Sequence, residues 1–320
     1  MPIYPSDYKP KIWLRNGHIN TLYTYFYRKL NEPNYTRERW DTIDGDFIDL
    51  DFVRGNHRRL VILSHGLEGG SDSQYIIAAT NLLSQNRYDI CALNYRSCSG
   101  EMNRTKTMYH SGFTTDLHMI VTKLANQYDE IYLIGYSLGG NMNLKYTTDG
   151  VNMIHSNIKA VISISAPIDL AGSSERISSW YNYQYQYNFL QTLNAKMRIK
   201  AAMHPETINI NDIKKVKTLI DFDEYFTGPL HGFDGAQDYY YQCNALQFLE
   251  NVKLPTLLIS SEDDPFLTDS CLPTDIAKSN KDIYLLATKY GGHVGFTTFG
   301  SEFYWLDYKI LEFINSISKF

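Results

Sequence analysis

The chain has 320 residues, of which 43% are hydrophobic and 20% charged, a composition typical of a globular protein with an extensive core. Its formal net charge of -5 offers no basic surface to nucleic acid, so a nucleic-acid partner is not expected. The first residues lack the basic and apolar regions of a signal peptide, and no stretch reaches about 18 uncharged apolar residues. We therefore expect a cytoplasmic protein without a transmembrane segment.

Metal and cofactor signatures are absent from the sequence. The four cysteines are scattered without a C-x-x-C pair, so they predict neither a disulfide framework nor a zinc site. The motifs of zinc proteases, phosphate-binding loops and dinucleotide sites are also missing. We expect no metal and no cofactor.

Strand-like and helix-like segments alternate along the chain after a lead-in segment, residues 1–40, that is expected to pack on the core. Short apolar runs typical of strands occur at 46–52, 60–64, 89–94, 131–134, 160–165, 256–260 and 283–287. Unbroken apolar runs indicate strands that are buried on both faces of a parallel sheet. Helical spacing follows at 75–83, 113–124 and 303–317, the last with Ser301 as its expected N-cap. This alternation predicts a doubly wound α/β fold.

Residues 169–252 interrupt the alternation and are too long for an ordinary crossover. We interpret this insertion as a helical lid, which leaves 41–168 and 253–320 as the core. Within it, residues 180–189 alternate aromatic and polar side chains. Packing inside the lid is the favoured explanation. An acyl-binding or membrane-facing patch is the alternative, and it leaves open a transient contact of the lid with a lipid surface.

Ser137 stands in the run Gly135-Tyr136-Ser137-Leu138-Gly139, directly after the predicted strand 131–134. The G-x-S-x-G spacing is that of a nucleophile elbow, in which a serine on a tight strand-to-helix turn needs small neighbours on both sides. Ser137 is the candidate nucleophile.

A base and an acid follow in the order expected for such a serine. His293 lies in a glycine-rich loop after the strand 283–287, and Asp263 and Asp264 follow the strand 256–260. Because the carboxyl ends of parallel strands share one sheet edge, these side chains can converge on Ser137. Asp264 is favoured over Asp263 because it directly precedes a proline, the position in the loop after this strand where folds with such a serine usually present the catalytic acid.

Two backbone amides are candidates for stabilising an oxyanion. One is the N–H of Leu138, the residue after the nucleophile. The other is the N–H of Leu67, in the glycine-rich turn His65-Gly66-Leu67-Glu68-Gly69-Gly70 after the strand 60–64. His65 is expected to support this turn and not to act as the base.

Several motifs together resemble one family. The runs WLRNGHINTLY, HGLEGG, NYRSCSGEMNR, YHSGFTTDL, GYSLGGNMNLKY, EDDPF and GGHVGF are similar to those of the YheT-like α/β-hydrolases. That family is similar to the plant embryogenesis-associated hydrolases and the yeast medium-chain ethanol acyltransferases. The resemblance implies a mostly parallel eight-stranded sheet flanked by helices, with a helical lid inserted before the strand that precedes the catalytic acid. It also implies a Ser-Asp-His enzyme acting on acyl esters, which matches Ser137, Asp264 and His293.

The expected function is that of a serine hydrolase, a carboxylesterase or acylglycerol lipase that cleaves short to medium acyl esters through an acyl-enzyme on Ser137. An acyltransferase that passes the acyl group to an alcohol is the nearest alternative, since it uses the same intermediate. A non-catalytic binding protein on a hydrolase fold is a third, and it would require the three residues to be idle. The sequence leaves the acyl length and the oligomeric state open.

Overall fold

The computed structural model describes residues 4, 6–151 and 153–318. Its strands form one eight-stranded sheet in the described part of the chain, in the order β1-β2-β4-β3-β5-β6-β7-β8. The strands are β1 (Thr36–Asp41), β2 (Phe47–Val53), β3 (Arg59–Ser64), β4 (Asp89–Asn94), β5 (Glu130–Tyr136), β6 (Ile158–Ile164), β7 (Thr256–Ser261) and β8 (Ile283–Thr288). The first two pairings, β1 with β2 and β2 with β4, are antiparallel, and all others are parallel.

The α-helices flank the sheet and fill the insertion. They are α1 (Gly17–Tyr27), α2 (Gln74–Gln85), α3 (Thr114–Ala125), α4 (Leu138–Thr148), α5 (Leu170–Ile177), α6 (Tyr183–Met203), α7 (Leu219–Phe222), α8 (Gly228–His231), α9 (Gly235–Cys243), α10 (Thr274–Ser279) and α11 (Trp305–Ile317). The helices α5 to α9 lie between β6 and β7, within the insertion.

Both faces of the sheet are buried, which explains the unbroken apolar runs. In β3, Leu60 and Ile62 belong to one core cluster, whereas Val61 and Leu63 belong to the other. The first cluster includes α3 and much of the insertion, and the second includes α2 and α11. Successive residues of a strand point to opposite faces, so a strand covered on both sides has no polar alternation.

The edge strand β1 is the one strand that the sequence analysis did not identify, and the boundary set at residue 40 falls inside it. Its pairing with β2 is supported by ion pairs between the two strands. Arg37 and Arg39 lie opposite Asp51 and Asp49 and form two-pronged ion pairs with them at 2.7 to 2.8 Å. An exposed edge strand of this kind lacks the apolar alternation that marks a strand.

The last helix begins later than expected. It starts at Trp305, and Ser301 is not its N-cap. Instead, Asp307 accepts a hydrogen bond from the N–H of Tyr304 at 2.7 Å. The same carboxylate forms a buried ion pair with Arg28, at the C-terminal end of α1, and so joins α1 to α11.

Candidate active site

Ser137 lies on the turn between β5 and α4 in a strained backbone conformation, with φ 53° and ψ −121°. A non-glycine residue there costs on the order of 1 to 3 kcal/mol, and such strain is concentrated at functional sites. The flanking glycines permit the turn. A Cβ on Gly135 would overlap the carbonyl of Gly139, and a Cβ on Gly139 would overlap the carbonyl of Ser64. The spacing of the motif thus reflects close packing of three backbone segments.

Ser137, His293 and Asp264 are joined by hydrogen bonds. The Ser137 Oγ lies 2.9 Å from Nε2 of His293, and Nδ1 of the same ring lies 2.9 Å from Oδ2 of Asp264. A proton on Nδ1 donates to the carboxylate and leaves the Nε2 lone pair free to accept the serine proton. The ring of Phe266 packs against His293, with centroids 4.4 Å apart.

The two candidate acids have different surroundings. Asp264 is buried and also accepts from the N–H of Phe266 at 2.8 Å, which fixes its orientation towards His293. Asp263 instead accepts from the N–H of Gly292 at 2.9 Å and does not contact the imidazole through a hydrogen bond. Burial raises the pKa of Asp263. The geometry places Asp264 as the partner of His293 and gives Asp263 a role in holding the histidine loop.

The glycine-rich turn after β3 lies against the serine, since a Cβ on Gly66 would be 3.2 Å from Cβ of Ser137. Leu67 follows in this turn, and Leu138 begins α4. No loop or side-chain acceptor takes either of these N–H groups in the described part of the chain. Both amides are therefore free to donate to a ligand oxygen near Ser137.

His65 supports the same turn through hydrogen bonds to the backbone. It is fully buried, its Nδ1 donates to the carbonyl of Gly66 at 2.7 Å, and its Nε2 accepts from the N–H of Tyr95 at 3.2 Å. Burial lowers the pKa of His65 to about 3, so the ring is neutral at ordinary pH. These contacts agree with the structural role expected from the sequence.

A family model described as the alpha/beta hydrolase fold matches residues 59–298. The chain belongs to the α/β-hydrolase family.

The relatives and solved structures agree with this assignment. The chain is 30% identical over 321 residues to "Putative esterase YheT" of Escherichia coli (strain K12), covering 97% of this chain and 94% of the relative. It is 29% identical over 246 residues to the monoacylglycerol lipase of Saccharomyces cerevisiae, covering 74% of this chain and 54% of that protein. The esterase Pf2001 of Pyrococcus furiosus superposes with a TM-score of 0.60 at 18% identity, over 91% of this chain and 98% of that one. The expected fold and the resemblance to the YheT-like family are confirmed.

In this α/β-hydrolase, the lead-in segment also holds the loop that carries His293. The sequence analysis did not predict this contact. The hydroxyl of Thr21, on α1, accepts from the backbone N–H of His293 at 2.8 Å. Asn20 accepts from the N–H and the hydroxyl of Thr297, at 3.1 and 3.0 Å. From the core side, the hydroxyl of Ser165 accepts from the N–H of Val294 at 3.1 Å. The histidine loop is thus held between α1 and the sheet.

The α1 helix approaches both loops so closely that glycine is required. A Cβ on Gly17 would fall within bonding distance of the carbonyl oxygen of Asp263, and a Cβ on Gly292 would overlap the carbonyl of Gly17. Gly292 also has φ 62°, a conformation that favours glycine. The motif WLRNGHINTLY therefore supplies contacts that position the acid and histidine loops of the hydrolase.

Two cavities meet at Ser137 and His293. The smaller one has a volume of about 130 Å³ and is lined mainly by apolar side chains of the insertion together with Leu67 and Leu138. The wider one, about 640 Å³, lies between α1, the glycine-rich turn and α6. Below, these are called the inner pocket and the outer cleft.

The aromatic stretch 180–189 packs only in part as favoured above, since Tyr185 and Phe189 contact the core cluster. Trp180 is 87% exposed and Tyr183 is 62% exposed, whereas Tyr185 and Phe189 turn inward and line the outer cleft. None of the helices in the described ranges is both long and apolar enough to cross a membrane. Those ranges also contain no group of three or more His, Cys, Asp or Glu residues placed to hold a metal ion.

Proposed function

We propose that this protein is a serine carboxylesterase of the acylglycerol lipase type, which cleaves short to medium acyl esters through an acyl-enzyme on Ser137. The hydrogen-bonded series from Ser137 through His293 to Asp264, with both contacts at 2.9 Å, carries the proposal. The printed names of the bacterial and yeast relatives, an esterase and a monoacylglycerol lipase, support the substrate class.

In the proposed reaction, His293 takes the hydroxyl proton as Oγ of Ser137 attacks the ester carbonyl carbon. Asp264 holds the ring in the required tautomer and stabilises the imidazolium. The amides of Leu67 and Leu138 donate to the oxyanion, and loss of one such donor commonly costs about 3 to 4 kcal/mol. His293 then protonates the departing alcohol. A water molecule, deprotonated by the same histidine, attacks the acyl-serine, and the acid leaves as Ser137 recovers its proton.

Hydrolysis of p-nitrophenyl esters of graded acyl length tests the proposal. We expect one preferred length, and we expect Ser137→Ala to lose at least about 10³-fold in kcat, as removal of a catalytic nucleophile does. Ser279→Ala, a change at the end of α10, is the matched control and should keep full activity. Labelling of the wild type, but not of Ser137→Ala, by a fluorophosphonate would locate the nucleophile. Full hydrolysis by folded Ser137→Ala would overturn the assignment.

The acyltransferase alternative is kept because two cavities reach the serine. An acyl chain in the inner pocket leaves the outer cleft free for an alcohol that competes with water for the acyl-enzyme. To decide between hydrolysis and acyl transfer, ethanol or a monoacylglycerol is supplied with the acyl donor, and the amounts of new ester and of free acid are measured. Free acid as the main product at high acceptor concentration supports the esterase.

A contact with a lipid surface is part of the proposal. The outer cleft is bordered on α1 by Tyr25 and Phe26, which are 72% and 62% exposed, and the exposed rings of Trp180 and Tyr183 precede and begin α6. Aromatic rings suit a membrane interface, where one end of the ring is apolar and the other is wet. In co-sedimentation with phosphatidylcholine vesicles, Phe26→Ser should bind less than the wild type. Ile43→Ser, which removes an 87% exposed side chain in the turn between β1 and β2, should bind equally.

A further inference from the structure

The inner pocket is not apolar throughout. Most of its wall consists of leucine, isoleucine, methionine and phenylalanine side chains, as expected for an acyl site. One part of the wall, however, carries Asp223, Tyr239, Tyr240, His110 and His231. None of these residues takes part in the proposed ester chemistry at Ser137, so their presence requires a separate explanation.

Asp223 is the charged member of this group. It begins a single turn of π-helix, Asp223–Thr227, and its Oδ2 accepts from the hydroxyl of Tyr240 at 2.7 Å. The side chain of Thr227 also forms a hydrogen bond with this carboxyl group. π-Helical turns occur frequently at functional sites. Within the described residues, no lysine or arginine forms an ion pair with Asp223. Asp223 is half-buried and is one of the residues that line the inner pocket.

The neighbouring histidines do not supply the missing positive charge. Burial lowers the pKa of both His110 and His231, so both rings are neutral at ordinary pH. His231 donates from Nδ1 to the carbonyl of Thr227 at 2.8 Å, and its ring also interacts with the backbone of Met108. Asp223 therefore has no cationic histidine beside it.

An unpaired carboxyl group in such a place is costly. Burial raises the pKa of Asp223 to about 6, because the ionised form loses its hydration. An apolar residue would suit a pocket for a plain alkyl chain better, since it would fill space without this cost. The two carboxylate oxygens can together accept about four hydrogen bonds, so Tyr240 and Thr227 leave acceptor capacity that a ligand donor in the pocket could use.

We propose that the inner pocket takes acyl chains that carry a hydroxyl group, and that this hydroxyl donates to Asp223. A hydroxyl fits these surroundings better than an ammonium group, because a neutral donor needs one acceptor whereas a buried cation would lose a strong hydration shell next to Phe222 and Phe226. Asp223 is thus a specificity-determining residue, and the substrate class is hydroxyacyl esters. This inference rests on the esterase activity proposed above.

The test compares p-nitrophenyl octanoate with its 6-, 7- and 8-hydroxy forms and with the 8-amino form. For the wild type we expect at least one hydroxy ester to exceed octanoate about tenfold in kcat/KM, since a site built to bond a hydroxyl discriminates against the analogue that lacks it. Asp223→Leu should reverse this preference, and Asp223→Asn should reduce it. Asp275→Leu, which replaces a fully solvated carboxylate on α10, is the matched control and should keep the wild-type ratio.

The outcomes separate the two proposals. If octanoate is hydrolysed in a Ser137-dependent way and no hydroxy ester is preferred, the hydroxyacyl inference is wrong and the esterase stands. Preference for the 8-amino ester would also overturn it, in favour of a cationic ligand. If no ester is turned over by folded protein, the esterase proposal itself fails. Should Asp223→Leu not fold, Tyr240→Phe, which removes the hydroxyl that orients Asp223, must lower the hydroxy preference.

Discussion

Replacing Gly17 by alanine should lower the activity of the hydrolase strongly although Gly17 is not one of the three proposed catalytic residues. A Cβ built on Gly17 would lie 1.7 Å from the carbonyl oxygen of Asp263, the residue before the proposed acid. Real Cβ atoms essentially never come closer than 3.0 Å, so α1 and the acid loop must separate by at least 1.3 Å, the difference between 3.0 and 1.7 Å. The same helix holds the N–H of His293 through Thr21, so the histidine and its acid would move relative to each other.

A displacement of about 1 Å in an active site costs on the order of 100-fold in rate, so we expect kcat/KM of Gly17→Ala to fall by about that factor. The assay is p-nitrophenyl ester hydrolysis beside a thermal melt that verifies folding. Gly45→Ala is the control. It also replaces a glycine, at φ +80° with nothing within 4 Å, so it should cost a little stability and no activity. A folded Gly17→Ala protein with wild-type kcat/KM would refute the reasoning.

Three further predictions follow from single contacts. Thr21→Val removes the acceptor of the His293 N–H, and leaving this group unsatisfied costs about 1 to 3 kcal/mol, so kcat should fall about tenfold or more. Thr21→Ser keeps the hydroxyl acceptor and should keep the wild-type kcat. Equal kcat values for the two variants would contradict this prediction. Lys196 of α6 pairs at 2.8 Å with Glu68, whose backbone is fixed beside Leu67 by Tyr109. Lys196→Met should therefore lower kcat on the order of tenfold with little change in KM, and a rise in KM alone would disagree. The pKa of Asp223 in the folded protein is raised to about 6. Its protonation therefore favours the folded state fully below about pH 4, and this contribution to the free energy of unfolding is lost as the pH rises through 6. In urea unfolding, the free energy of unfolding of Asp223→Asn relative to the wild type should thus rise by about 2 to 3 kcal/mol between pH 4 and 7. A difference between the two proteins that does not change with pH would argue against the buried carboxylate.

The order of the proposed catalytic residues could be predicted because it follows from the sheet. Parallel strands bring their carboxyl ends to one edge, so Ser137 after β5, Asp264 after β7 and His293 after β8 had to lie near each other. The choice of Asp264 over Asp263 depended on register alone, and the structure supplied the reason, namely the separate hydrogen bond of Asp263 to Gly292.

Other features had no local signal. The strand β1 has charged residues where an apolar alternation would be expected, because its ion pairs to β2 replace a buried face. The contact of Thr21 with His293 joins residues 272 positions apart, and a single sequence carries no pattern for such a pair. The polar wall of the inner pocket gathers residues from the loop before α3, from the π-helical turn and from α9, and the insertion's weak periodicity could not indicate which of them face one cavity.

The grip of α1 on the histidine loop bears on how the enzyme is made. During synthesis Thr21 leaves the ribosome long before its partner, and at about 5 to 20 residues per second the intervening 272 residues take roughly 15 to 55 seconds. For that time α1 has no histidine loop to hold, and the proposed base His293 has not yet been synthesised. A nascent chain can therefore build most of its sheet before the proposed site is complete, and on the proposed mechanism activity arises only when α1 closes on the histidine loop.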